Sequence, residues 1–182
     1  MSPEWPLETE RLTLRPFVEN DFRAFEAMQA DPELARWLYN EPREGDEARK
    51  HFELKLSLSV LHAEGDWMSC GAVERAGGAL VGDLSFHWVS AEHRTGEVGF
   101  VFARGHQGKG YATEAAAALV GWAFASGFHR VIGRTEARNA ASARVLEKLG
   151  MRLEGQFVEN EWVKGEWQSE LLYAVLDREW HA

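Results

Sequence analysis

The stretch from Val98 to Ala115 constrains this chain more than any other. A run with Val98, Phe100 and Phe102 on one face gives way to Arg104-Gly105-His106-Gln107-Gly108-Lys109-Gly110, and then to an Ala-rich segment from Tyr111 to Ser126 that Gly127 stops. Period-two alternation is a strand signal, and a long alanine-rich run is a helix signal. Gly105, Gly108 and Gly110 fall within six residues. Glycines there let the backbone turn sharply and approach a ligand closely. The free N–H groups and the dipole of the helix start favour a phosphate or pyrophosphate, and Lys109 adds charge. A glycine-rich connection with no ligand is the bland alternative. Another strand pattern, Arg130 to Thr135, follows the helix. A strand–helix–strand unit requires some parallel pairing in the sheet.

The rest of the chain supplies the frame. Arg11 to Phe17 alternates and reads as a strand that ends near Pro16. Asn20 or Asp21 caps a helix bearing Phe22, Phe25 and Met28, and Asp31-Pro32 opens a short second helix. Asp46 to Ala63 reads as a longer helix with Leu54, Leu58 and Leu61 on one face, flanked by Phe52 and Leu56 and ended by Gly65. Met68 to Arg75 and Ala79 to Trp88 form a hairpin around Ala76-Gly77-Gly78. Glu97 to Phe102 is the next strand. Asn139 to Leu149 is a helix with Gly150 at its end, and strands near Arg152–Val158 and Ser169–Leu176 close the chain as a hairpin. The order β α α β β β α β α β β predicts an α/β chain with a mixed sheet. It has about seven mostly antiparallel strands, helices on both faces, and a parallel βαβ unit at the glycine loop. Residues 1–182 read as one domain, without linker or repeat.

Composition narrows the function. The 182 residues carry 20 Lys+Arg and 29 Asp+Glu, a formal net charge of −9, which argues against general nucleic-acid or anionic-membrane binding. A lone cysteine, Cys70, excludes an intramolecular disulfide framework and a multi-cysteine metal site. His87, His93 and His106 have no metal-ligand spacing, so no metal is expected. No apolar run approaches the roughly 18 residues of a spanning helix. The opening MSPEWPLETERL lacks the basic n-region and apolar core of a secretory signal, so a cytoplasmic protein, monomer or homodimer, is expected.

Which phosphate ligand the loop takes is decided by detail. A P-loop needs GxxxxGK[ST], and here Lys109 is followed by Gly110. The dinucleotide fingerprint GxGxxG is half met by Gly108-Lys109-Gly110-Tyr111-Ala112-Thr113; it lacks the third small residue and a clean acidic partner about 20 residues on. Gln107 to Ala112 instead matches the Q/R-x-x-G-x-G/A loop and resembles the GNAT acetyltransferase superfamily. Asn139-Ala140-Ala141-Ser142 and Glu147-Lys148-Leu149-Gly150-Met151 resemble that family's N-x-x-S…E-K-x-G-F segment. Glu97-Val98-Gly99-Phe100, Thr9 to Arg15, and Trp167 to Trp180 resemble its RimJ/RimL-like branch. The element order above agrees with the GNAT fold.

The resemblance implies acetyl-CoA as co-substrate. Phe100, Val101 and Phe102 would run beside the pantetheine. Gln107, Gly108, Lys109, Gly110, Tyr111 and Ala112 would hold the pyrophosphate. Asn139 and Ser142 would lie near the thioester sulfur, and Arg144 and Lys148 would meet CoA phosphates. Each has a plainer reading: Asn139 as a helix cap, Phe100 and Phe102 as core, Arg144 and Lys148 as solvated surface. The chemistry would be acyl transfer to an amine acceptor, either a protein N-terminus or a small molecule. A protonated amine cannot attack, so a base must take its proton. Glu97 and Glu161 are the candidate bases, with Glu159 a near neighbour of the second. Ser142 or Tyr173 is the candidate acid, because Leu146 stands where many GNAT enzymes carry a tyrosine. Ser169 stands where the RimJ/RimL-like branch often has an aspartate. Trp37, Trp67, Trp88, Trp162 and Trp167 are candidates for the acceptor cleft, with core packing or a dimer contact as the alternative. A catalytically silent CoA-binding sensor or accessory protein is the alternative function.

Overall fold

The computed structural model describes residues 1–181. Strands β1 (Leu7–Glu8) and β2 (Leu12–Arg15) lead into α1 (Phe22–Gln29), α2 (Pro32–Ala35) and α3 (Gly45–Ser57). Strands β3 (Trp67–Glu74), β4 (Leu80–Ser90) and β5 (Thr95–Phe102) precede α4 (Tyr111–Ala125). Strand β6 (Arg130–Glu136), α5 (Ala140–Lys148), β7 (Arg152–Val163) and β8 (Glu166–Leu176) complete the chain. The eight strands form one sheet in the order β1-β2-β3-β4-β5-β6-β8-β7. All pairs are antiparallel except β5 with β6. This is the mixed α/β arrangement that the strand–helix–strand unit requires, with one strand more than the pattern predicts. Among the described residues, no helix is long and apolar enough to cross a membrane.

Two apolar layers hold helices on opposite faces. On one, Tyr111, Ala115, Leu119 and Ala123 of α4 and Leu146 of α5 pack on Leu12, Leu14, Met68, Phe86 and Val98. On the other, Phe25 and Met28 of α1 and Phe52 of α3 pack on Phe17, Val73 and Leu80. The Phe17, Phe25 and Phe52 rings lie 5.1–5.9 Å apart in edge-to-face and tilted contacts, geometries that aromatic quadrupoles favour. Strand β3 is buried from Met68 to Val73 because both faces of the sheet are covered there.

The sequence pattern misplaces three boundaries. First, α3 ends at Ser57 rather than Ala63, and its buried residues are Ala48 and Phe52, while Leu54 is half exposed. Leu61 is fully buried, yet outside the helix. The Leu58 carbonyl accepts from the Ser69 N–H at 2.5 Å, and the Leu61 N–H donates to the Met1 carbonyl at 2.8 Å. Tertiary backbone pairing thus replaces the last helical turn. Second, the two-residue β1 escapes notice because it is too short for a period; its pairing Leu7↔Leu14 defines it. Third, β7 and β8 extend to Val163 and back from Glu166, so Glu161 lies on a strand opposite Gln168 and not in a loop.

The feature that positions the site is where β5 leaves β6. They pair only at Thr95↔Arg130, Gly96↔Val131 and Glu97↔Ile132. Beyond Glu97, β5 follows β4 as far as Gly82↔Phe102, and β6 follows β8 as far as Glu136↔Glu170. The sheet opens there into a V. Gly96 sits in the last paired rows, and a Cβ there would run into the ring of the fully buried Phe86. Overpacking of this kind costs about 1–3 kcal/mol. Gly96→Ala is therefore expected to lower unfolding free energy by about that amount in urea titration, whereas Gly105→Ala, with open space at its Cβ, should stay within about 0.5 kcal/mol.

Candidate active site

A cleft of about 780 Å³ occupies the V and reaches from α4 on one face to α3 on the other. At its α4 end the connecting loop is held by its own polar groups. The His106 N–H donates to the Ala103 carbonyl at 2.8 Å and the Gln107 N–H to the Arg104 carbonyl at 3.2 Å. The Gln107 side-chain amide donates to the Phe102 carbonyl at 2.9 Å. Gly108 and Gly110 then take φ of +74° and +83°, left-handed conformations that L side chains rarely adopt. From Gly108 to Thr113 no backbone N–H finds an acceptor among the described residues. Six such donors at a helix N-terminus suit an anionic diphosphate.

Arg11 braces this loop from outside. Its Nη1 donates to the Lys109 carbonyl at 2.8 Å, its Nε to Glu114 at 2.7 Å, and its guanidinium lies 4.7 Å from the Tyr111 ring centroid. The Tyr111 hydroxyl donates to Glu74 at 2.5 Å. The sequence flagged Arg11 only as part of a motif, and nothing in that motif revealed its contact with residue 109. Gln107, Gly108, Gly110, Tyr111 and Ala112 line the cleft, and Lys109 does not. Gln107 works mainly as a loop brace, with its amide already engaged, and Tyr111 is a buried anchor.

The walls carry the remaining expected residues. Phe100, Val101 and Phe102 line the cleft along the freed edge of β5. Asn139 is indeed a helix cap, its Oδ1 accepting from the Ser142 N–H at 3.1 Å, and it lines the cleft together with Ser142, Arg144 and Lys148. Leu146 points into the core against Gly133. Tyr173 lies outside the cleft: it is buried, and its hydroxyl donates to Glu147 at 3.3 Å. Its strand position opposite Gly133 turns it toward α5. That leaves Ser142 as the cleft-facing member of the expected acid pair.

At the other end Glu97, Glu161 and Glu170 line the cleft with Arg134. Arg134 Nη1 donates to Glu170 at 3.0 Å, and its Nε is 3.7 Å from Glu97. Burial pushes the Glu97 and Glu170 carboxyls above the ordinary range, against the opposing pull of Arg134. Glu161 lines the cleft, whereas Glu159 sits in a bulge at φ +48°, its N–H donating to Ser169 Oγ at 2.9 Å. Tyr39 also lines this end. Desolvation in the cleft and the neighbouring Glu161 carboxylate push its phenol pKa up, which keeps it a donor. Sequence reading missed both Tyr39 and Glu170: Tyr39 sits in an irregular segment after α2 without motif or period, and Glu170 on a strand looked like one more charge. Trp37 and Trp67 line the cleft. Trp88 packs on the core, and Trp162 and Trp167 face solvent on the β7–β8 hairpin.

The family described as "Acetyltransferase (GNAT) domain" matches residues 11–152. The uncharacterized N-acetyltransferase YnaD of Bacillus subtilis is 33% identical over 188 residues, covering 96% of this chain and 99% of its own. A GNAT-family acetyltransferase from Bacillus anthracis superimposes with a TM-score of 0.85 at 30% identity, over 96% of this chain and 99% of that one. Spermidine N-acetyltransferase from Vibrio cholerae, in complex with CoA and spermine, shares the fold with a TM-score of 0.77 at 21% identity, over 93% and 97% of the two chains. The chain belongs to the GNAT acetyltransferase family, and by that membership it is an acetyl-CoA-dependent N-acetyltransferase.

Two outcomes follow from the geometry. Arg11→Ala removes a charged donor from the Lys109 carbonyl and loosens the loop; CoA affinity should fall roughly tenfold by isothermal titration. His51, on α3 at the cleft wall, has its pKa pushed down from 6.5 to about 4 by burial and by the charges of Lys55 and Arg43. Between those values the unfolded chain binds this proton and the folded chain does not, so stability rises with pH across that window. His51→Gln should flatten the slope of the urea midpoint between pH 4 and 6.5.

Proposed function

We propose that this chain transfers an acetyl group from acetyl-CoA to a primary amine by direct attack on the thioester, without a covalent enzyme intermediate. One observation carries the reading: the freed edge of β5 past Glu97 and the free N–H groups from Gly108 to Thr113 open into the same cleft as Ser142 and Glu161. When bound, acetyl-CoA supplies the activated acyl group. In this reading the amides after Gln107 bind the diphosphate, and the backbone of Phe100, Val101 and Phe102 lies alongside the extended pantetheine arm. Asn139 orients the start of α5, and Arg144 and Lys148 meet the outer phosphates.

Glu161 is the favoured base, because Arg134 already engages Glu97 and Glu170. It takes the ammonium proton, directly or through water, and frees the amine lone pair. Unpaired N–H groups of β5 are available to the acyl oxygen as negative charge develops on it. As the new C–N bond forms and the C–S bond breaks, Ser142 is placed to give a proton to the departing sulfur. Glu97 to Phe100 and Thr9 to Arg15 support a RimJ/RimL-like affiliation, while Ser169 departs from that branch. A cytoplasmic location fits the reading. Leu146 in place of a tyrosine is the feature that permits the silent-sensor alternative; Ser142 and Glu161, which both line the cleft, speak against it.

Acetyl-CoA is expected to raise the melting temperature, as a ligand that binds only the folded state must. Stabilisation by NAD(H) and not by acetyl-CoA would refute the assignment. In a thiol-release assay Ser142→Ala and Glu161→Gln should each lower kcat by roughly 10²-fold, with CoA affinity nearly unchanged. Equal losses of kcat and CoA affinity would reassign Ser142 to structure.

A further inference from the structure

The wall of the cleft on the α3 face has two ends of opposite charge. The β4–β5 pairs Asp83↔Val101, Ser85↔Gly99 and His87↔Glu97 fall in alternate rows, so these six residues share one face of the sheet. Val101 packs against the α1–α3 layer, which identifies that face. The middle row is low: Ser85 and Gly99 are both small, and a Cβ on Gly99 would reach Ser85 Oγ at 2.7 Å. The result is a trough with Glu97 at one end and Asp83 at the other.

At the Glu97 end, three carboxylates, Glu97, Glu161 and Glu170, face one guanidinium, Arg134. That end is net negative when they are ionised and suits an ammonium. Four residues along β5, about 13 Å at roughly 3.3 Å per residue, lies Asp83. It is paired with Lys55 Nζ at 2.8 Å, and the two side chains are 8% and 13% exposed. Arg43 lines the same wall. Its Nη1 donates a long hydrogen bond to Gln29 Oε1 at 3.4 Å, and its Nε pairs at 3.5 Å with Glu47, a carboxylate that is 70% exposed to water. Inside the cleft, then, two cations face one buried carboxylate.

We propose that the acceptor is a zwitterion, a primary amine that carries a carboxylate on the same molecule: the amine sits at Glu161 and the carboxylate at Arg43 and Lys55. The inference rests on the acetyl-transfer reading above and names its substrate class. The rows of Glu97 and Asp83 stand about 13 Å apart along the sheet, a separation that favours an amine and a carboxylate held several carbons apart over an α-amino acid. A diamine of that length would press its second ammonium against Arg43 and Lys55 in a partly desolvated site, where like charges repel strongly. A plain alkylamine would leave Arg43 with only the exposed Glu47 as an anionic partner. Arg43 is thereby a specificity-determining residue, and the chemistry at the thioester does not require it.

The test is thiol release from acetyl-CoA with three amines of matched length: 5-aminopentanoate, pentylamine and 1,5-diaminopentane. A ladder from glycine to 6-aminohexanoate reads the spacing. The wild type should show kcat/KM for 5-aminopentanoate at least about tenfold above either comparator, the value of a charge-assisted contact, with the longer amino acids of the ladder used better than glycine. In Arg43→Gln, whose folding is checked by its acetyl-CoA thermal shift, the ratio to pentylamine should fall toward one. Equal or better use of pentylamine or the diamine by the wild type overturns the proposal without any variant, as does a ratio unchanged in Arg43→Gln. Turnover of pentylamine with no gain for the amino acid overturns only the zwitterion. Absence of thiol release with every amine, in a protein that binds acetyl-CoA, overturns the acetyl-transfer reading with it.

Discussion

Three rows of parallel hydrogen bonding, and no more, join the two halves of this sheet. Everything about the site depends on pairing that stops at Glu97↔Ile132. A continued ladder would satisfy the backbone of Phe100 to Phe102, and no cleft would exist. Because β5 leaves with β4 and β6 leaves with β8, the sheet keeps its hydrogen bonds on the outer sides and exposes them only along the V. Buried backbone groups without partners are costly; here the unpaired edge borders a cavity, where a ligand or water can reach it.

The V also sorts charge. Its α4 end offers backbone donors on a loop stiffened by Arg11, Gln107 and Tyr111, so the donors are held in place before any ligand arrives. Its far end gathers carboxylates around Arg134. The two ends are linked through β5, which carries core residues on one face, Val98 and Phe102, and Glu97, Gly99 and Val101 on the other. One strand thus contributes both to the core and to the wall of the cleft, through nothing more than period-two alternation.

Much of this was legible in the residues. The strand–glycine–helix junction announced itself because positive φ selects glycine and Gly108 and Gly110 both need it. Asn139 was readable as a cap because side-chain capping is local chemistry, three residues from Asn139 to Ser142. What escaped was long-range. Tyr39 meets Glu161 across more than a hundred residues, and Arg11 meets Lys109 across 98. Neither pair leaves a periodic trace. Alternation tells that Tyr173 faces one side of its strand, and only the packing of α5 tells that the other side holds the cleft. The helix α3 was read too long because leucine spacing continued past Ser57, while the pairing of Leu58 with Ser69 ended it.

By itself, the amino-acid sequence determined the local conformations: alternation for the strands, glycine where φ is positive, caps and stops for α4 and α5, and a composition that admits a buried core. These depend on interactions within a few residues, which the order of the chain states directly. The tertiary structure alone decided where β5 and β6 part, which carboxylates gather on Arg134, and which side of each strand faces the cleft. Those depend on contacts between residues far apart in sequence, whose energies exist only once the two helical layers have closed on the sheet.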